Sequence, residues 1–196
     1  MPDDTILCWT SPFDSDRHVT VADYKAWAAE GEKGKSKIAD LFCQRLKERY
    51  VEPMQRLGIL EKNGFAVMAL SCLMIEAFET FHQGWPSADS KSKSAFLTFF
   101  GRESRFADLR KHAEQFYYCV RCGILHQGET TKGWTIRLIG PLFDEANLRI
   151  NADCFQKTLL ETICDYRDNL KKEPLSARVW ANFTIKMNAT IENCER

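Results

Sequence analysis

Arg121 and His126 are the two side chains whose types and spacing point to a chemistry. They lie in Phe116-Tyr-Tyr-Cys-Val-Arg-Cys-Gly-Ile-Leu-His-Gln-Gly128. Arginine carries a permanent charge on a planar fork that matches phosphate oxygens. Histidine titrates near neutrality and serves as acid or base. Cutting RNA without a metal needs a base for the 2′-hydroxyl proton, an acid for the leaving oxygen and a cation for the charged phosphorus centre. On a regular helix, five residues at about 100° each set Arg121 and His126 about 140° apart. The long arginine must curl round, the helix must distort near Gly123, or a second subunit must complete the site. A two-fold homodimer would bring two Arg/His pairs to one groove.

Neighbouring residues could support this pair. The C-terminal end of a helix dipole and Glu129 would place negative charge beside His126, which suits a general acid or phosphate binder. Glu76 and Glu79 are three apart on an apolar segment and so lie near one another. Either Glu76 pairs with Arg121 and orients it, or both carboxylates face solvent near a helix end. Arg102, Arg105, Arg110 and Lys111 could track an RNA backbone or simply form a solvated face. Tyr118 and its neighbour Tyr117 could stack on a base or pack in a core or dimer interface. Cys119-Val-Arg-Cys122 is a CxxC, but it lacks the strand-to-helix setting of a redox site and a second ligand pair for zinc. It reads as packed helix thiols, with no metal and no cofactor expected. No Walker loop, GxGxxG, GxSxG or HExxH occurs.

The elements that must position these residues read as mainly α. Thr20-Val-Ala-Asp23 is a capping box opening a short helix through Ala29. Ser36 is a candidate cap for a helix to about Leu57 that Pro53 kinks or shortens. Gly64 precedes an apolar helix from Phe65 to His82, closed by Gly84. Further helices are expected over 95–100, 104–126, 154–170 (capped by Asp153) and 176–194. Trp134–Ile139 and Asn147–Asn151 alternate around Gly140-Pro141 and read as a small β-hairpin. The first 19 residues read as irregular. Residues 1–196 are expected to form one domain, with 1–35 an N-terminal extension and the hairpin at 134–151.

Composition narrows the partners. The 27 Lys+Arg balance 27 Asp+Glu, so no global field draws the chain to nucleic acid or membrane. Hydrophobic residues at 44% exclude wholesale disorder. Met1 is followed by Pro-Asp-Asp rather than a basic and apolar leader, and most cysteines sit in apolar helical patterns. The eight cysteines are therefore expected as free thiols in a reducing cytoplasm. The apolar run from Phe65 to Ile75 falls short of the roughly 20 residues a bilayer needs, so a buried helix is expected and no membrane partner.

The Arg121–His126 motif resembles the HEPN superfamily, whose signature is an arginine and a histidine separated by a short spacer at a helix end. The long apolar helix fits that family's helical core. The resemblance implies a HEPN-like helical bundle, a homodimer, and a metal-independent endoribonuclease leaving 2′,3′-cyclic phosphate ends. It also implies a toxin or phage-defence role, with an antitoxin or nucleotidyltransferase as partner. The position after the arginine is commonly Asn or Asp in the family; here it is Cys122. That departure favours the alternative, a catalytically silent binding or scaffolding module acting with a partner protein.

Overall fold

The computed structural model describes residues 2–14, 16–56 and 63–194. In chain order, two short strands β1 (Ile6–Cys8) and β2 (Val19–Thr20) lead to helices α1 (Val21–Ala29), α2 (Lys35–Tyr50) and α3 (Glu52–Arg56). Helices α4 (Gly64–Gln83) and α5 (Ser92–Arg102) follow. Next come a 3-10 segment (Ser104–His112), α6 (Ala113–Phe116), a π-helical turn (Tyr117–Cys122) and α7 (Gly123–Gln127). Strands β3 (Thr135–Arg137), β4 (Phe143–Asp144) and β5 (Arg149–Asn151) precede α8 (Ala152–Lys172) and α9 (Arg178–Cys194). The fold is mainly α, as the periodicity implies.

The chain forms two compact units. The first comprises Met1–Glu52, Thr80–Ser87 and Ile163–Arg196. Its start is ordered rather than irregular, because β1 pairs antiparallel with β2. The Thr20 side chain accepts from the Asp23 amide, and the Asp23 carboxylate accepts from the Thr20 amide at 2.9 Å, completing the capping box. Helix α2 starts after Gly34, not at a Ser36 cap. A Cβ on Gly34 would stand 1.8 Å from the Trp27 carbonyl oxygen, so the tight turn from α1 needs glycine there. Pro53 falls in the first turn of α3, where its missing N–H costs nothing; Leu57 lies outside the described residues. In this unit's core Phe42 meets Phe81, Tyr166 and Phe183 edge to face, and Phe81 lies tilted against Phe183.

The second unit comprises Pro53–Glu79 and Ala88–Thr162. Its core is aromatic: Phe96, Phe99, Phe100, Phe106, Phe116 and Phe155 are fully buried. Phe116 stacks on Phe155 with centroids 5.5 Å apart. The long helix expected over 104–126 is broken into 3-10, α and π pieces, with a non-helical Phe106 inside the first. The alternating segments do form strands, but the hairpin reading is corrected. Strand β3 runs parallel to β5, and β4 is the antiparallel neighbour of β5. The tight turn sits at Asp144–Leu148, where Asp144 caps the intervening 3-10 turn and Leu148 is left-handed. Gly140-Pro141 instead lies in the connection from β3 to β4. Asn151 rather than Asp153 caps α8, its Oδ1 accepting from the Cys154 amide at 3.2 Å.

Helix α4 is longer than the apolar run alone suggests. By length and composition it could cross a membrane, yet 56% of its most apolar window is buried inside the protein. Its two carboxylates, Glu76 and Glu79, are both spent in ion pairs.

Candidate functional site

The motif sits on a helix that changes its winding where the motif begins. Phe116, Cys119 and Val120 are buried in the second unit's core, and the turn carrying Arg121 is π-helical. A π turn closes i→i+5 bonds and is wider than an α turn, a feature often found at functional sites. The Cys119 carbonyl accepts from the Thr131 amide at 3.0 Å. The helix closes at Gly128, whose φ of +71° lets the chain reverse. The returning chain passes so close that a Cβ on Gly123 would stand 2.4 Å from the Glu129 carbonyl oxygen. Gly123 is thus a packing requirement of the motif, and the returning segment is bonded directly to the π turn.

Arg121 and Glu76 meet across this unit. Arg121 Nε donates to Glu76 Oε1 at 2.7 Å, and Nη2 donates to Oε2 at 3.4 Å. The side chains are 15% and 12% exposed, so the pair is largely desolvated. The guanidinium also lies over the Tyr117 ring, 5.8 Å from its centroid. Burial opposes the Arg121 charge, but pairing with Glu76 outweighs it and holds the arginine above its ordinary pKa. The Cys122 thiol lies near enough to Arg121 and Tyr117 to influence the charge of both. Burial, with help from Cys122, raises the Tyr117 phenol. Of the two arrangements the sequence left open for Glu76, pairing is the one adopted.

His126 lies at the exposed end of α7. Among the described residues its imidazole makes no hydrogen bond or ion pair, and none joins it to Arg121. The exposed Glu129 side chain makes no polar contact with it either. Within one chain the arginine is fixed and the histidine is open to solvent. Tyr118, in the π turn, is half-exposed; it accepts from Lys93 Nζ at 3.3 Å, and the same ammonium lies 5.0 Å from its ring centroid.

The four basic residues are dispersed in role. Arg102 donates to Glu79 through Nη2 at 2.5 Å and Nη1 at 3.2 Å, and to Glu103 through Nε at 2.7 Å. Glu79 is fully buried, which overturns the solvent-facing alternative for that residue. The Arg102 charge is spent inside the unit. Arg105 pairs with Glu161 at 3.2 Å, and Lys111 pairs with Glu145. Arg110 is exposed and, among the described residues, has no carboxylate partner; its Nε reaches the Phe100 carbonyl at 3.5 Å. A continuous basic track therefore does not form. His112 Nε2 meets Glu145 Oε1 at 3.0 Å, and its ring packs on Trp134 and Phe143. The two residues are 33 positions apart, so no local sequence pattern marks the pair.

Cys119 is buried and Cys122 half-buried, both as free thiols. Among the described residues, no group of three His, Cys, Asp or Glu side chains is placed to hold a metal ion. No family model, curated protein or solved structure matches the chain.

Proposed function

We propose that the chain is a HEPN-type endoribonuclease that uses Arg121 and His126 on RNA without a catalytic metal. The observation that supports this reading is the contrast between the two residues. Arg121 is held in one orientation on a π turn by Glu76 and Tyr117, while His126 on the same helical run is unengaged and open to solvent. A pre-oriented cation and a free acid–base group on one helical run suit phosphodiester cleavage once both reach the same phosphate. Arg121 stabilises charge on the phosphorus centre, His126 moves the proton, and Glu76 positions Arg121. Since no contact joins Arg121 to His126 within one chain, two copies about a two-fold axis supply the complete set. Of the four basic residues, Arg110 remains without a carboxylate partner among the described residues to meet the RNA backbone, and Tyr118 is left to stack on a base. In this reading the protein acts in the cytoplasm as a toxin or defence effector, held in check by an antitoxin or modifying nucleotidyltransferase.

A second reading rests on a specific observation. The Nε edge of Arg121 is already occupied by Glu76, and Cys122 stands where a polar residue would be expected. Both fit a catalytically silent module that binds RNA or a partner protein. Cleavage of RNA in excess EDTA separates the two. Wild type should cut, and folded Arg121→Ala and His126→Ala proteins should lose cutting. RNA bound but left intact would support the silent module. Cutting that survives both substitutions would remove the motif from the mechanism.

A further inference from the structure

Cys43 and Cys164 bring two thiols face to face within the first unit. Cys43 lies on the inward face of α2 and is 2% exposed; Cys164 lies on α8 and is partly exposed. Their Sγ atoms are 3.7 Å apart. This is the one thiol–thiol hydrogen bond among the described residues. A disulfide needs about 2 Å between sulfurs and staggered side-chain torsions. Closing the link from 3.7 Å requires both side chains to rotate the sulfurs toward one another.

The surroundings divide the pair into an attacking and a resolving partner. Cys164 is reachable from solvent, and Lys47 on α2 and Arg167 on α8 lie close enough to favour its thiolate. Asp168 opposes them, but it is engaged by Arg167 Nε at 2.8 Å. Asp40 is likewise engaged by Lys171 Nζ at 2.5 Å. The hydrogen bond from Cys43 is the largest influence and, despite burial, brings the Cys164 thiol down to about 6. Cys43 keeps the shared proton and is pushed up by the same bond and by burial. The other thiols have different settings. Cys8 is raised to about 12 by burial and Glu48. Cys194 donates to the Thr190 carbonyl at 3.3 Å, and Cys72 is fully buried.

We propose that Cys43 and Cys164 are a reversible oxidation site whose oxidant is a hydroperoxide, ROOH. The Cys164 thiolate attacks the terminal oxygen: the S–O bond forms, the O–O bond breaks, and the alkoxide leaves as ROH after taking a proton from water. The Cys43 sulfur, losing its proton, attacks the Cys164 sulfenic acid. The S–S bond forms, the S–O bond breaks, and hydroxide leaves with that proton as water. The sum is two thiols and ROOH giving a disulfide, ROH and water. A small thiol reverses it by exchange. The link ties α2 to α8 across a long stretch of sequence, so it constrains the unfolded chain and raises the melting temperature of the oxidised form. This chemistry does not depend on the ribonuclease reading.

The test treats the full chain with less than one equivalent of hydrogen peroxide, blocks remaining thiols with N-ethylmaleimide in urea and maps peptides by mass. The expected first product is a Cys43–Cys164 cross-link, two hydrogens lighter, with the other six thiols alkylated. Dithiothreitol should remove it. Cys43→Ser should leave a dimedone-reactive sulfenic acid at Cys164, and Cys164→Ser should leave Cys43 reduced. Oxidation of Cys154 or Cys194 as fast as Cys164 would overturn the proposal. So would a Cys164 sulfenic acid that persists in the wild type without a link. The wild-type map alone decides the matter if either variant fails to fold.

Discussion

Glu76 accepts two hydrogen bonds from Arg121, 2.7 Å from Nε and 3.4 Å from Nη2, and both side chains are close to nine-tenths covered. Removing one partner from such a pair leaves a largely desolvated charge behind. The cost lies between that of an exposed pair and a fully buried one, so Glu76→Ala should lose about 2 kcal/mol. Glu76→Gln keeps an acceptor and should lose less. Urea unfolding of both variants at neutral pH measures the order. An alanine variant as stable as wild type would show that Glu76 does not hold Arg121, and its positioning role would fall with it.

Arg102 and Glu79 are a harsher case, because the Glu79 carboxylate is fully closed from water. Its oxygens are met by Arg102 and by the Thr98 hydroxyl at 2.9 Å. Arg102→Met strips the cation and should destabilise by about 3 kcal/mol or more. The double variant Arg102→Met/Glu79→Met replaces both charges with apolar groups and should recover most of that loss. Once Glu79 is replaced, the Thr98 hydroxyl can turn its one proton to the Ser94 carbonyl, 2.8 Å away. A double variant no more stable than the single one would mean that packing, not charge, fixes this site.

Two glycines in the motif region should respond differently to alanine. At Gly123 the new methyl meets the Glu129 carbonyl oxygen at 2.4 Å. Backbone must move to relieve that contact, at a cost of about 1–3 kcal/mol. At Gly128 there is open space, and only the left-handed φ of +71° is strained, which costs about 1 kcal/mol. Gly123→Ala should also loosen the Thr131–Cys119 bond, seen as faster hydrogen exchange at the Thr131 amide. Equal losses at the two sites would argue against the close return of the chain.

The legible parts of this fold were those carried by local chemistry. The Thr20/Asp23 box, the glycine stop after α4 and the helical periods of α4 and α8 all depend on residues within a turn of one another. What sequence alone did not give was set by distant partners. The π turn at Tyr117–Cys122 is tied to a returning segment whose course depends on Gly128 and Gly123 together. The parallel pairing of β3 with β5 depends on where the chain turns, and Gly140-Pro141 was the louder signal although Asp144–Leu148 makes the tight turn. Asn151 reads as a strand residue, yet its Nδ2 holds the Gly140 carbonyl at 2.7 Å while its Oδ1 caps α8. At the candidate site, Arg121 and Glu76 could be paired on paper because both lie on strongly patterned helices. Arg102 looked like a surface cation because its buried partner is a carboxylate on an otherwise apolar helix.

The capping box gives a pH-dependent prediction. Burial works against ionising Asp23, but the Thr20 amide and hydroxyl both donate to its carboxylate, and Arg17 adds a nearby positive charge. The net effect holds Asp23 below its ordinary value of 3.8. A carboxylate with a depressed native pKa stabilises the fold fully above its unfolded value, and that contribution is lost as pH falls through the native value. Asp23→Ala should therefore cost about 1 kcal/mol at pH 7, the usual worth of a cap. The gap between wild type and variant should narrow as pH drops below 3.8. Arg17 is 67% exposed, so salt should screen its share while the Thr20 hydrogen bonds persist. Urea unfolding of both proteins from pH 7 to pH 2.5, with and without added salt, measures each part. A gap that stays constant with pH would mean that the Asp23 charge contributes nothing and that the loss comes from packing at the start of α1.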